Sequence, residues 1–195
     1  MYLYLVRHGQ SVGNVLRTFH GQTDYPLTQE GRRQARQAAE KLRGAAFTRC
    51  CASDLQRAWD TALICLEGRD LLPEKCPDLR EQFVGGMEDT TWDEVEEKFP
   101  GVRDAYISDW FHVTPPGGES PAQMADRVGR CVDQIIEKGG DTLIAAHNGS
   151  LSLLLLHLKL LDQDHLMLPE FFLKQGCYSV VEISGGRARL AGFNL

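Results

Sequence analysis

The chain is 195 residues long, 43% apolar and 25% charged, a balance that supports a packed core and excludes a disordered or fibrous chain. Acids outnumber bases by 27 to 21 for a formal net charge of −6. That argues against binding nucleic acid or an anionic membrane, because both need a basic face, so an anionic substrate must be held by a local cluster of positive charge.

Tyr2 to Val6 is a short apolar and aromatic run suited to a buried strand, and it leads straight into Arg7-His8-Gly9. No basic segment or cleavage site marks a signal peptide. The longest apolar stretch, Leu151 to Leu161, is broken by His157 and Lys159 and falls short of the roughly 20 residues a bilayer requires. The six cysteines contain no C-x-x-C pair. They read as buried thiols of a cytoplasmic protein rather than a zinc site or disulfide frame.

A helix is expected from the N-cap Thr28 to about Lys41, with Ala35, Ala38, Ala39 and Leu42 on one face and Gly44 as its stop. Phe47 to Ala52 reads as a second strand. Ser53 with Gln56 has the spacing of a capping box ahead of a helix that runs to Gly68. A third strand is expected to end near Leu79. Residues 83–118 carry glycines, two short helical stretches (one capped by Thr91 with Glu94) and Pro115-Pro116-Gly117-Gly118, the pattern of a small inserted lid. Ser120 with Gln123 and Pro121 opens a longer helix whose stripe is Met124, Val128, Cys131, Val132, Ile135 and Ile136. Asp141 to Ala146 is a fourth strand, His147-Asn148-Gly149 a turn, and the leucine-rich segment beyond it a buried helix. Tyr178 to Ile183 and Ala188 to Phe193 form a closing strand pair.

Strands alternating with helices predict an α/β fold: one domain over residues 1–195, a three-layer α/β/α sandwich with a largely parallel central sheet and a lid over residues 83–118. Ligands bind such sheets beyond the carboxyl ends of the strands. Three junctions there carry suggestive groups: Arg7-His8-Gly9, then Ser53-Asp54 with Arg57, then His147-Asn148-Gly149. If the strands are neighbours, two histidines and two arginines meet in one crevice, beside helix N-termini that favour anions. Arginine forks match phosphate oxygens. Positive neighbours oppose protonation of an imidazole, and a neutral ring can attack phosphorus. No third ligand stands at metal spacing, so neither metal nor cofactor is expected. The leaving alkoxide needs a proton; Glu81, just past the third strand, is the candidate donor, held protonated by a nearby phosphate dianion, and Glu88 is its competitor.

The ordered motifs resemble the histidine phosphatase, or phosphoglycerate-mutase-like, superfamily. Arg7-His8-Gly9-Gln10-Ser11 with Asn14 is similar to R-H-G-[EQ]-[ST]-x-x-N. Gly21 to Thr28 with Gly31 and Gln34-Ala35 is similar to G-x-x-D-x-P-L-T-x-x-G-x-x-Q-A, and Ser53 to Ala58 to S-D-L-x-R-A. Leu79-Arg80-Glu81 with Gly85 and Glu88, and Pro116 to Ser120 with Arg127, also fit. The resemblance spans nearly the whole chain and implies His8 as a phosphohistidine-forming nucleophile. It also implies Arg7, Arg57 and His147 as the phosphate pocket, Glu81 as proton donor, and Asn14, His20 and Gly21 as supporting phosphate contacts. The substrate implied is a small phosphorylated metabolite. The text looks more like the α-ribazole and broad-specificity phosphatases than the glycolytic mutases. Asn148, Met87 and Asp89 depart from the family pattern of glycine, tryptophan and glycine, respectively.

Three other readings compete. A mutase would keep the phosphoenzyme until a second substrate accepts the group. A non-catalytic domain would only bind phosphate. Gly9-Gln10-Ser11-Val12-Gly13 matches the G-x-S-x-G elbow of serine hydrolases, but that chemistry leaves both arginines without a role. His112, His157 and His165 read as surface or packing residues, Trp59, Trp92 and Trp110 as packing, and the acidic run from Asp89 to Glu97 as a solvated helix face.

Overall fold

The computed structural model describes residues 1–195. Six strands, β1 (Tyr2–Arg7), β2 (Arg49–Ala52), β3 (Glu74–Lys75), β4 (Thr142–Ala146), β5 (Ser179–Ser184) and β6 (Arg187–Gly192), form one sheet in the order β3-β2-β4-β1-β5-β6. The pairs β2–β3, β2–β4 and β1–β4 are parallel, and β5 and β6 close one edge antiparallel. The helices are α1 (Val12–Leu16), α2 (Gln29–Lys41), α3 (Gln56–Cys65), α4 (Trp92–Lys98), α5 (Val102–Asp109), α6 (Pro121–Lys138) and α7 (Asn148–His157).

Strand side chains alternate between two faces, and each face has its own core. Leu3, Leu5, Ile144 and Ala146 pack with Val128 and Val132 of α6 and Leu151 and Leu154 of α7. On the other side Val6, Ala52, Leu143 and Ala145 pack with Ala38 of α2 and Ala62 and Cys65 of α3. Burial on both faces is why β4 reads as an unbroken run with no polar alternation. The three-layer sandwich is the expected one.

Local chemistry sets most helix starts as the spacing predicts. Thr28 caps α2 through Gly31 N–H, 3.0 Å. Thr91 with Glu94, and Ser120 with Gln123, form reciprocal capping boxes. Ser53 departs from expectation: α3 starts at Gln56 with no side-chain cap from Ser53. The Ser53 hydroxyl is drawn instead to His147 Nε2 at 2.8 Å, and Asp24 Oδ1 accepts the Gln56 N–H at 2.6 Å. His147-Asn148-Gly149 is no separate turn, since His147 is the N-cap of α7 and Asn148 its first residue. The second strand starts two residues later than expected, at Arg49 rather than Phe47. The third is only Glu74–Lys75, because Pro77 to Leu79 winds into a 3-10 turn. The short α1 was not legible at all, because Gly13 and Asn14 interrupt its pattern.

Gly9 and Gly31 let the first strand end approach the start of α2. A Cβ on Gly9 would lie 2.1 Å from Gly31 O, and one on Gly31 would lie 2.0 Å from Gln10 O. Backbone cannot retreat as a side chain can, so Gly31→Ala is expected to destabilise the fold by about 1–3 kcal/mol. Urea denaturation checks this, and an unchanged midpoint would contradict the packing described.

Candidate active site

The central strands β2, β4 and β1 lie side by side, so their carboxyl ends open on one crevice. The ladder continues one residue past each: His8 N–H donates to Ala146 O at 2.9 Å and Ser53 N–H to Ala145 O at 3.0 Å. His8 and His147 are thereby set ring to ring, centroids 5.1 Å apart and edge-on at 61°. A cavity of about 270 Å³ is lined by Arg7, His8, Asn14, His20, Gly21 and Arg57, with Glu81 and Thr18 also on its wall.

His8 is only 4% exposed. Its Nδ1 lies 2.7 Å from Gly9 O. A carbonyl can only accept, so Nδ1 carries the proton and Nε2 keeps the lone pair. Gly9 N–H in turn donates to Thr61 Oγ1 at 3.2 Å, and Thr61 donates to Arg57 O at 2.7 Å, locking the turn that aims the ring. Burial pushes the His8 pKa well below the usual imidazole range, with Arg57 and then Arg7 adding to the effect. Burial also dominates at His147, followed by Arg57 and His8. Desolvation, more than neighbouring charge, keeps both rings neutral.

The arginines are braced by backbone. Arg57 donates to Thr23 O at 3.0 Å and Gly21 O at 2.7 Å; Arg7 donates to Leu173 O at 3.0 Å. The Nε atoms of both, together with His147 Nδ1 and Thr18 Oγ1, are buried with no protein partner. Donors placed this way suit an anion of several oxygens. Asn14 and His20 line the same cavity but bond each other, Asn14 Nδ2 to His20 Nε2 at 3.2 Å, while His20 Nδ1 donates to Thr18 O at 2.8 Å.

The two candidate proton donors separate clearly. Glu81 faces the cavity, its carboxylate accepting from Gln82 N–H at 3.0 Å and Gly149 N–H at 3.1 Å. Gly149 leaves room for it, since a Cβ there would lie 2.1 Å from Glu81 Oε1 and push the carboxylate aside. Arg127 donates to the carbonyls of Asp78, Arg80 and Glu81 at 2.7, 2.9 and 3.0 Å and pairs with Glu119, fixing the segment from behind. Glu88 is consumed by structure, accepting from Gln22 N–H, Thr23 N–H and the Thr23 hydroxyl.

A second cleft of about 340 Å³ shares Phe19, Glu81 and Gln82 with the first. Its walls include Trp92, Tyr106, Trp110 and Phe172. Trp110 packs against the main core and Trp92 edge-on against Phe19 and Tyr106, as expected, and each also presents surface to this cleft. Sequence reasoning missed Thr18 and Thr61 as site residues: Thr18 only lines the cavity, and the role of Thr61 rests on a hydrogen bond from the distant Gly9 N–H. Ser11 is the N-cap of α1, its hydroxyl bonded to Asn14, which removes the serine-elbow reading. His112 pairs with Asp109, His157 with Asp133, and His165 stacks near Phe171, all outside both cavities. No group of three or more His, Cys, Asp or Glu side chains is arranged to hold a metal ion, and no helix is long and apolar enough to cross a membrane.

The depressed proton affinity of the two rings has a consequence for stability. The unfolded chain binds protons that folded His8 and His147 reject. This contribution is therefore complete above about pH 6.5 and declines as pH falls. A His8→Asn/His147→Asn variant is expected to lose less stability than the native chain on going from about pH 7.5 to 5, by up to about 1.4 kcal/mol per pH unit for each ring. Urea titrations across that range check it, and equal slopes would contradict buried neutral imidazoles.

Residues 3–195 match the profile of the histidine phosphatase superfamily, branch 1. The adenosylcobalamin/alpha-ribazole phosphatase of Salmonella typhimurium is 35% identical over 196 aligned residues, covering 100% of this chain and 96% of the relative. The crystal structure of the alpha-ribazole phosphatase from Shigella flexneri superposes with a TM-score of 0.93 at 31% identity, covering 100% of this chain and 96% of that one. The mycobacterial glucosyl-3-phosphoglycerate phosphatase solved with VO3 superposes with a TM-score of 0.84 at 30% identity, covering 99% and 98%. With the motifs in order around one anion-suited crevice, the chain belongs to the histidine phosphatase superfamily, branch 1, and is an enzyme of the phosphoric monoester hydrolase class.

Proposed function

We propose that the protein hydrolyses a small phosphorylated metabolite through a phosphohistidine on His8, without a metal or cofactor. The observation that carries this is the fixed tautomer of His8: Nδ1–H is tied to Gly9 O, leaving a neutral Nε2 lone pair in a cavity shared with Arg7, Arg57 and Glu81. In the first step Nε2 forms a bond to phosphorus as the ester P–O bond breaks, and Glu81 gives its proton to the departing oxygen. In the second, water attacks phosphorus, its proton passes to the Glu81 carboxylate, the P–N bond breaks and inorganic phosphate leaves. Arg7 and Arg57 offset the charge on the equatorial oxygens. A neutral His147 that accepts from Ser53 at Nε2 carries its proton on Nδ1, the donor we assign to a phosphoryl oxygen. Asn14 and His20 are assigned as supporting contacts: one Asn14 Nδ2 hydrogen is spent on His20 Nε2, and the other is the donor we assign to a phosphoryl oxygen.

The leaving group is assigned to the second cleft, which begins at Glu81 and is walled by aromatic rings. Residues 83–118 cover it, because Trp92, Tyr106 and Trp110 come from that segment. Flat rings favour an alcohol that carries an aromatic group. The relatives named alpha-ribazole phosphatase make α-ribazole 5′-phosphate the first compound to assay.

Hydrolysis of p-nitrophenyl phosphate is expected to persist in excess EDTA, and His8→Ala to lower kcat by more than about 10³-fold. Near-normal turnover by that variant would overturn the nucleophile. Glu81→Gln should slow an alkyl phosphate by about 10²–10⁴-fold and p-nitrophenyl phosphate far less, because nitrophenolate leaves without a proton. Equal slowing of both esters would remove Glu81 from the acid role.

A further inference from the structure

The second cleft carries two polar groups that nothing described so far uses. Asn148 and Ser152 stand four residues apart on α7, hence on one face and one turn apart, about 5–6 Å between Cβ atoms. Both line the cleft among Trp92, Tyr106, Trp110 and Phe172.

The Asn148 amide is held in one orientation. Its Oδ1 accepts from Leu173 N–H at 3.0 Å, and Leu173 O accepts from Arg7 at 3.0 Å. Since the oxygen is committed to an N–H, the Nδ2 donor is the end left over, and it has no protein partner. The same bonds tie Leu173, the chain neighbour of the cleft residue Phe172, to the arginine of the phosphate pocket. Ser152 is 4% exposed and its hydroxyl is buried with no hydrogen bond. A helix-interior serine commonly bonds the carbonyl one turn back, and this one does not. An unpaired hydroxyl among aromatic rings weakens the fold unless a ligand completes it.

We infer that Asn148 and Ser152 form a two-point polar strip that determines specificity, reading hydroxyl or ring-heteroatom groups of a leaving alcohol whose flat ring lies among the aromatic side chains. The class selected is the phosphate ester of a polyhydroxylated alcohol bearing a heteroaromatic ring, as against plain aryl or alkyl phosphates. Asn148 supplies a donor close to Glu81, and Ser152 supplies a donor and acceptor deeper in the cleft. This inference rests on the phosphatase reading and on the leaving group entering the second cleft.

The test compares kcat/KM on α-ribazole 5′-phosphate with kcat/KM on phenyl phosphate, which has a flat ring and no polar substituent, for the native enzyme, Asn148→Ala and Ser152→Ala. The ratio of the two is expected to fall at least about fivefold in each variant. Ser152→Ala is also expected to melt no lower than the native chain, since it removes an unpaired group. Parallel loss on both esters, an unchanged ratio, or a lowered melting temperature for Ser152→Ala would overturn the strip. A native enzyme active on phenyl phosphate and inert on α-ribazole 5′-phosphate would overturn it too while leaving the phosphatase reading intact. Activity on neither ester would overturn it as well, and failure on p-nitrophenyl phosphate too would instead defeat the phosphatase reading itself.

Discussion

The site depends on keeping two imidazoles uncharged beside two guanidinium groups that cannot lose their charge. A protonated His8 would have no lone pair, so the chemistry exists only while the ring is neutral. Burial supplies the larger part of that neutrality and Arg57 and Arg7 the rest. The sheet makes the burial possible. Parallel neighbours β2, β4 and β1 are covered on both faces by helices, so the residues just past their ends start out desolvated and close together. The arginines are spent partly on holding loop carbonyls, and that bracing fixes where positive charge lies before an anion arrives.

Two joined compartments divide the labour. One is polar, small and rich in donors with no protein partner, which suits a tetrahedral anion. The other is aromatic and takes whatever the phosphate is attached to. Glu81 stands on the shared wall, where a proton must pass between the two halves of an ester being split. Its placement is over-determined: Gly149 leaves room for the carboxylate, two N–H groups orient it, and Arg127 grips three carbonyls behind it. Asn148, which stands where the family pattern has a glycine, links the compartments, since its bond to Leu173 continues to Arg7.

Much of this was legible in the amino-acid text because the chemistry is written locally. Capping boxes at Thr91 and Ser120, the apolar strand runs and helical stripes, and Arg-His-Gly at a strand end are each contained in a few residues. The misreadings share one physical cause, competition from distant partners. Ser53 has the spacing of an N-cap, yet the buried ring of His147, 94 residues away in sequence, takes its hydroxyl. Its place just past the third strand favours Glu81 over Glu88, and what separates them further is again long-range, since Gln22 and Thr23 fold back onto Glu88. Trp92 and Trp110 pack as expected, and what the text could not show is that they also wall a cleft, since no local signal marks such a ring. The short β3 ended early because Pro77, with its fixed φ, opens a 3-10 turn over Pro77–Leu79.

The central claim is that phosphorus is carried on one particular nitrogen. Rapid quenching of the enzyme mixed with a ³²P-labelled monoester, followed by peptide mapping, tests it most directly. An alkali-stable, acid-labile phosphoryl group is expected on His8, formed within the first turnover and bonded through Nε2. Turnover with no labelled protein at any quench time, or label on a different residue, would contradict it.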